Sequence, residues 1–117
     1  MGLFNLFDAP DYDSIDAAAV QTNLLMVTQT KERQDAIKKL RIGSLVNIKR
    51  TKRTGQTVYV VSDYKTDRII GEISYGTSDY LDQNYRNYKM LGKVIEIGNI
   101  TNTMPGKEVL IEYKVYL

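Results

Sequence analysis

The sequence predicts a β-rich α+β domain: a small, partly open antiparallel barrel carrying two helices. Three observations predict it. The chain has 117 residues, which suits one compact domain and leaves little room for a second. From residue 44 onward, β-branched and aromatic residues gather in short runs, partly alternating with polar ones and separated by turn-type clusters. Two other stretches, 30–40 and 77–89, carry helical spacing with capping residues instead. Five or six short strands with two helices fit a curled sheet better than a layered α/β sheet.

Residues 1–13 mix Leu3, Phe4, Leu6 and Phe7 with Pro10 and acids, and read as a flexible N-terminal arm ahead of a single domain over 14–117. Asp13 or Ser14 caps a short helix containing Ala17, Ala18 and Ala19. Residues 24–28 read as a short buried strand or as more of that helix, because five residues have no decisive period. Residues 30–40 read clearly as a helix. Thr30 is the cap, Ala36, Ile37 and Leu40 form the buried stripe, and Gly43 ends the segment.

Three strands follow, at 45–50, 57–61 and 68–73, with turns at 51–56 and 62–67; together they make an antiparallel meander. Residues 77–89 form the second helix, with Thr77 or Ser78 as cap and Leu81, Tyr85 and Tyr88 on one face. Residues 90–100 and 107–117 are strands joined by a turn at 102–106. In the last, Val109, Ile111, Tyr113 and Val115 alternate with Glu108, Leu110, Glu112 and Lys114.

Composition removes several chemistries. There is no cysteine and no histidine, so disulfides, thiolate zinc sites, a Cys nucleophile and imidazole catalysis are excluded. Asp11-x-Asp13-x-x-Asp16 lacks the glycine and closing glutamate of a calcium loop. No glycine-rich phosphate loop occurs, and the carboxylates show no catalytic spacing. The expectation is a non-enzyme without cofactor or metal. No apolar run approaches the roughly 20 residues of a membrane helix. No signal peptide is evident, and Leu6 breaks a myristoylation motif. The reading is cytoplasmic, with no membrane partner.

The net charge of +2 hides an uneven layout. Residues 1–30 carry four aspartates and no cation. Residues 31–53 carry nine Lys and Arg against Glu32 and Asp35, or +7. Such a segment attracts phosphates over about 8–10 Å, unless it is a solvated face neutralised by the acidic N-terminus. Six of the nine tyrosines lie between residues 59 and 88. Bases stack on exposed rings while cations follow the backbone. With no Trp, and both Phe in the arm, tyrosine also serves as core filler. Tyr85 and Tyr88 suit the core, and Tyr64, Tyr75 and Tyr80 suit binding.

The run from Leu24 to about Ile100 resembles a HIRAN domain. Arg33-Gln34 opens a helix ending in KKLRIGSLVNIKR, which is similar to the family's L-x-x-G-x-x-V-x-L entry into the barrel. TVYVV follows as an extended strand, and RIIGEIS looks like the family's I-G-Y-I-P turn into a helix. The resemblance implies a barrel related to the OB and SH3-like folds, and recognition of DNA, notably a free 3′ strand end; stand-alone copies occur in bacteria. The family's N-x-Y-D-x-x-A is absent: Arg53 and Thr54 stand where its Tyr and Asp would be. A stacking ring is thereby exchanged for a cation.

The leading expectation is a nucleic-acid-binding module for single-stranded or end-containing DNA. Arg33, Lys49, Arg50, Lys52 and Arg53 would contact phosphates, and Tyr64 and Tyr75 would stack bases. The alternative is a protein-interaction module, a small phage or host accessory protein, using Leu3, Phe4 and Phe7.

Overall fold

The computed structural model describes residues 10–101 and 104–117. It is a small α+β fold: one six-stranded antiparallel sheet, curled but not closed, with two helices. The strands are β1 (Ala19–Asn23), β2 (Leu45–Arg53), β3 (Gln56–Asp63), β4 (Ile69–Glu72), β5 (Lys89–Asn99) and β6 (Lys107–Tyr116). Helix α1 spans Lys31–Lys38 and α2 spans Tyr75–Tyr85. The sheet order is β1-β6-β5-β2-β3-β4, which is the partly open barrel expected. Among the described residues no helix is long and apolar enough to cross a membrane.

The curl has local causes. Register shifts at Val61/Ser62 and at Val94/Glu96 bend β3 and β5. Beyond β1 the chain leaves β6 and reaches the opposite end of the sheet. There Leu25 and Glu72 exchange backbone hydrogen bonds, with Leu25 N–H donating at 2.8 Å and Glu72 N–H at 2.9 Å. This one bridge laces β4 to the segment after β1. Gly71 makes the approach possible: a Cβ there would lie 3.0 Å from both the Leu24 Cβ and the Leu25 carbonyl oxygen. Leu24 and Val27 then bury their side chains against the core, each contributing about 1.5–3 kcal/mol.

The two helices confirm their sequence signals, with shifted ends. Thr30 Oγ1 accepts from the Arg33 N–H at 3.2 Å, and Ala36, Ile37 and Leu40 are buried. For α2 the cap is Ser74, not Thr77 or Ser78. Ser78 is instead fully buried, donating to the Ile73 carbonyl and accepting from the Tyr59 N–H.

Two expectations about the start of the chain need correction. No helix forms over Ala17–Ala19, and the first strand is Ala19–Asn23 rather than 24–28. Three alanines do not nucleate a helix alone, whereas residues 19–23 gain partners along β6. Docking also reaches into the segment read as an arm. Tyr12 is buried, its hydroxyl donating to Glu112 at 3.0 Å, with the Lys93 and Lys114 ammonium groups over its ring. Leu3, Phe4 and Phe7, the residues read as a protein-docking segment, lie outside the described residues.

Candidate nucleic-acid interface

The basic segment folds into α1 and β2. The expected turn at 51–56 is shorter: β2 and β3 run on to Arg53 and Gln56, and only Thr54 and Gly55 turn. Their φ values of 50° and 80° are those of a tight two-residue hairpin, for which glycine at the second position is well suited. Lys52 and Arg53 therefore lie on a strand, and strand alternation sorts the cations. Lys49, Thr51 and Arg53 share one face of β2 with Asn47. Arg50 and Lys52 share the other. The five cations read from the sequence as phosphate contacts therefore do not share one wall: alternation along β2 divides four of them, and Arg33 is buried.

Arg33 is an internal residue. Its Nη1 donates to Glu72 Oε2 at 3.0 Å and to the Met26 carbonyl at 3.0 Å. Glu72 also holds Arg53 in a two-pronged pair, at 3.0 Å to Oε1 and 2.9 Å to Oε2. Burial alone would raise the Glu72 pKa. Hydrogen bonds from Arg53 and Arg33, with their charges, outweigh it and hold the carboxyl below its usual value. One carboxylate thus meets two guanidinium groups, leaving one positive charge in excess. Its outward member is Arg53, whose side chain is 38% exposed against 9% for Arg33. The Tyr75 phenol lies close enough to act electrostatically on Arg53.

A second cluster repeats this stoichiometry on the other face. Asp82 of α2 accepts from Arg50 Nε, and from Arg86 at 3.0 and 3.1 Å, and from the Thr57 hydroxyl at 3.3 Å. The hydrogen bonds from Arg50 and Arg86 hold the Asp82 carboxyl well below its usual range. Here the outward cation is Arg86. Lys49 pairs with Asp67 at 3.3 Å in open solvent, a contact worth about 0–1 kcal/mol and easily exchanged. Lys52 is exposed and makes no ion pair among the described residues.

Two clefts adjoin along β2. One, of about 420 Å³, is lined by Lys49, Arg50, Thr51 and Arg53, with Val60, Ser62, Asp67 and Ile69 opposite. The Arg50 guanidinium is nevertheless turned to Asp82. The other cleft, of about 530 Å³, surrounds Asn47 with Tyr64, Tyr88, Lys89 and Tyr116. Tyr64 is half-buried in this wall, while Tyr75 is 55% exposed at the start of α2. Tyr85 packs against the core as expected, but Tyr88 is exposed, its ring edge-on to Tyr85 with centroids 5.1 Å apart.

Glu72, Asp82, Lys89, Tyr88 and Tyr116 are the participants that sequence reading missed. Glu72 had a signal: an acid inside the apolar run IIGEI must find cations if that run is buried. The others had none, since tertiary folding alone brings them beside β2. No family model, curated protein or solved structure matches the chain.

Proposed function

We propose that this chain is a non-enzymatic, HIRAN-like nucleic-acid-binding module acting in the cytoplasm. It takes single-stranded or end-containing DNA along the Asn47–Lys49–Thr51–Arg53 face of β2. The observation that carries this reading is the order of chemistry on that face. Tyrosine rings flank cations: Tyr75 beside Arg53 at one end, and Tyr64, Tyr88 and Tyr116 around Asn47 at the other. Single strands are gripped by that combination, rings stacking bases and cations following phosphates. The excess charge of the Arg33–Glu72–Arg53 cluster supports it, because a phosphate can meet Arg53 without facing a net negative site. The resemblance of the sequence to HIRAN domains, with Arg53 standing where the family motif has its tyrosine, favours backbone contact there in place of ring stacking.

The test is fluorescence anisotropy with labelled oligothymidylate and duplex DNA at about 50 mM salt, then at rising salt. Binding to the single strand is expected. Log affinity should fall linearly with log salt, by about 0.7 per phosphate neutralised. No binding to either probe at the lowest salt overturns the proposal and leaves the protein-interaction alternative.

A further inference from the structure

A third cleft lies on a different part of the fold, between the start of α1 and the β5–β6 connection. It has a volume of about 450 Å³, and Lys31, Lys38 and Lys107 project from its walls, with Thr28, Thr30 and Asn99 between them. Among the described residues no carboxylate lines it; the two acids of α1, Glu32 and Asp35, lie outside the lining. The Lys107 ammonium donates to the Asn99 side-chain carbonyl at 2.7 Å, a neutral partner that leaves its charge uncompensated. Lys38 makes no ion pair among the described residues. Lys31 pairs with Asp35 at 2.8 Å, but its side chain is 83% exposed, so the pair is screened and readily exchanged.

The floor of this cleft is fixed before any ligand arrives. Gln34 donates to the Val27 carbonyl at 2.9 Å and to the Lys107 carbonyl at 3.0 Å, and accepts from the Lys107 N–H at 2.8 Å. One side chain therefore ties α1 to the first residue of β6. The lysines need only settle their own rotamers on binding, which lowers the ordering cost.

We propose that the Lys31–Lys38–Lys107 cleft is a second phosphodiester-backbone site, which engages the same strand that runs along β2. This rests on the nucleic-acid reading above. Asp67, the partner of Lys49, is followed by Arg68, and Arg68 lies near enough to Asp35 of α1 to act on its carboxyl together with Lys31 and Lys38. A strand joining the two sites would pass Arg68. Three lysines against the one carboxylate of Asp35 leave a charge of +2, which suits successive phosphates of a chain.

The test compares the full chain with the variant Lys31→Gln/Lys38→Gln/Lys107→Gln, both titrated with labelled oligothymidylate across a salt series. The variant is expected to bind at least tenfold more weakly at about 50 mM salt, and its salt slope should be shallower by about two. Unchanged affinity and slope overturn the second site while leaving the β2 site standing. Should the triple variant lose its fold by circular dichroism, Lys38→Glu, at an exposed position, serves in its place, with weaker binding and a slope shallower by about 0.7 expected and an unchanged affinity and slope overturning the second site. A second arm follows backbone amide shifts of the wild-type chain with inorganic pyrophosphate. Shifts at Gln34, Gly106 and Lys107 support an anion site in the cleft even if DNA binding fails; their absence, together with an unchanged variant, removes it.

Discussion

Arg33 and Glu72, 39 positions apart, form a buried ion pair at 3.0 Å that joins the first turn of α1 to the end of β4. Both side chains are almost wholly out of water. Removing the carboxylate leaves the Arg33 charge without its partner in a poorly solvated place. Glu72→Ala is therefore expected to cost about 3–5 kcal/mol, the usual range for a broken buried pair. Urea denaturation measures it; a loss below about 1 kcal/mol would show that the cluster contributes little.

Acid should loosen the same fold. The Glu72 and Asp82 carboxyls both titrate below their ordinary values in the folded chain. Between the folded and unfolded values the unfolded chain binds more protons, so stability falls as pH falls. The contribution is fully present above the ordinary carboxylate range, about pH 4–5, and is lost progressively below it. Melting temperature should drop on acidification below pH 5, and drop less steeply in Asp82→Asn. Equal slopes in the two proteins would contradict the assignment.

Tyr59 carries an opposite kind of feature. Its ring is buried, and its hydroxyl has no hydrogen-bond partner among the described residues. An unsatisfied buried hydroxyl costs about 1–3 kcal/mol. Tyr59→Phe keeps the ring and removes that cost, so the variant is expected to be at least as stable as the parent and up to about 1 kcal/mol more so. A clear destabilisation in a thermal melt would mean that the hydroxyl is bonded.

Gly71 tests the lacing of the sheet. An added methyl meets two backbone or near-backbone atoms at 3.0 Å, where little can yield. Gly71→Ala is expected to cost about 1–3 kcal/mol. Amide hydrogen exchange should locate the damage at Leu25 and Glu72, with β5 and β6 keeping their protection. Uniform loss of protection would instead mean that the seam is not a separable element.

Binding variants should separate the rings from the cations. Tyr75→Ala is expected to weaken oligothymidylate binding by about 1–3 kcal/mol with the salt slope unchanged, as loss of one stacked base requires. Lys49→Gln should reduce the slope by about 0.7. Anisotropy titrations read both, and an unaltered Kd in both variants would exclude the β2 face.

The fold was legible because its signals are local. Thr30 and the Ala36–Ile37–Leu40 stripe mark α1, and the alternation of Val109, Ile111 and Tyr113 marks β6. The site was less legible because a run of cations says nothing about which neighbours point the same way. Arg50 and Arg53 are three apart in sequence, yet pairing in an extended hairpin sends them to different acids, Asp82 and Glu72. Arg33 falls at helical spacing with Ala36, Ile37 and Leu40, the one mark that sets it apart from Arg41; it is internal and Arg41 is exposed. The first strand was displaced because its definition depends on β6, nearly ninety residues downstream.

Glu72 serves the molecule twice over, its main chain stitching the two ends of the sheet and its side chain steering Arg53. Mechanical closure and surface charge are consequently not independent quantities in this protein. Sequence changes that slacken the stitch ought to blur the position of Arg53 as well, so stability and ligand affinity should decline in step for such changes. Substitutions at the Thr54–Gly55 tip, which leave the stitch intact, offer the contrasting case against which that coupling is measured.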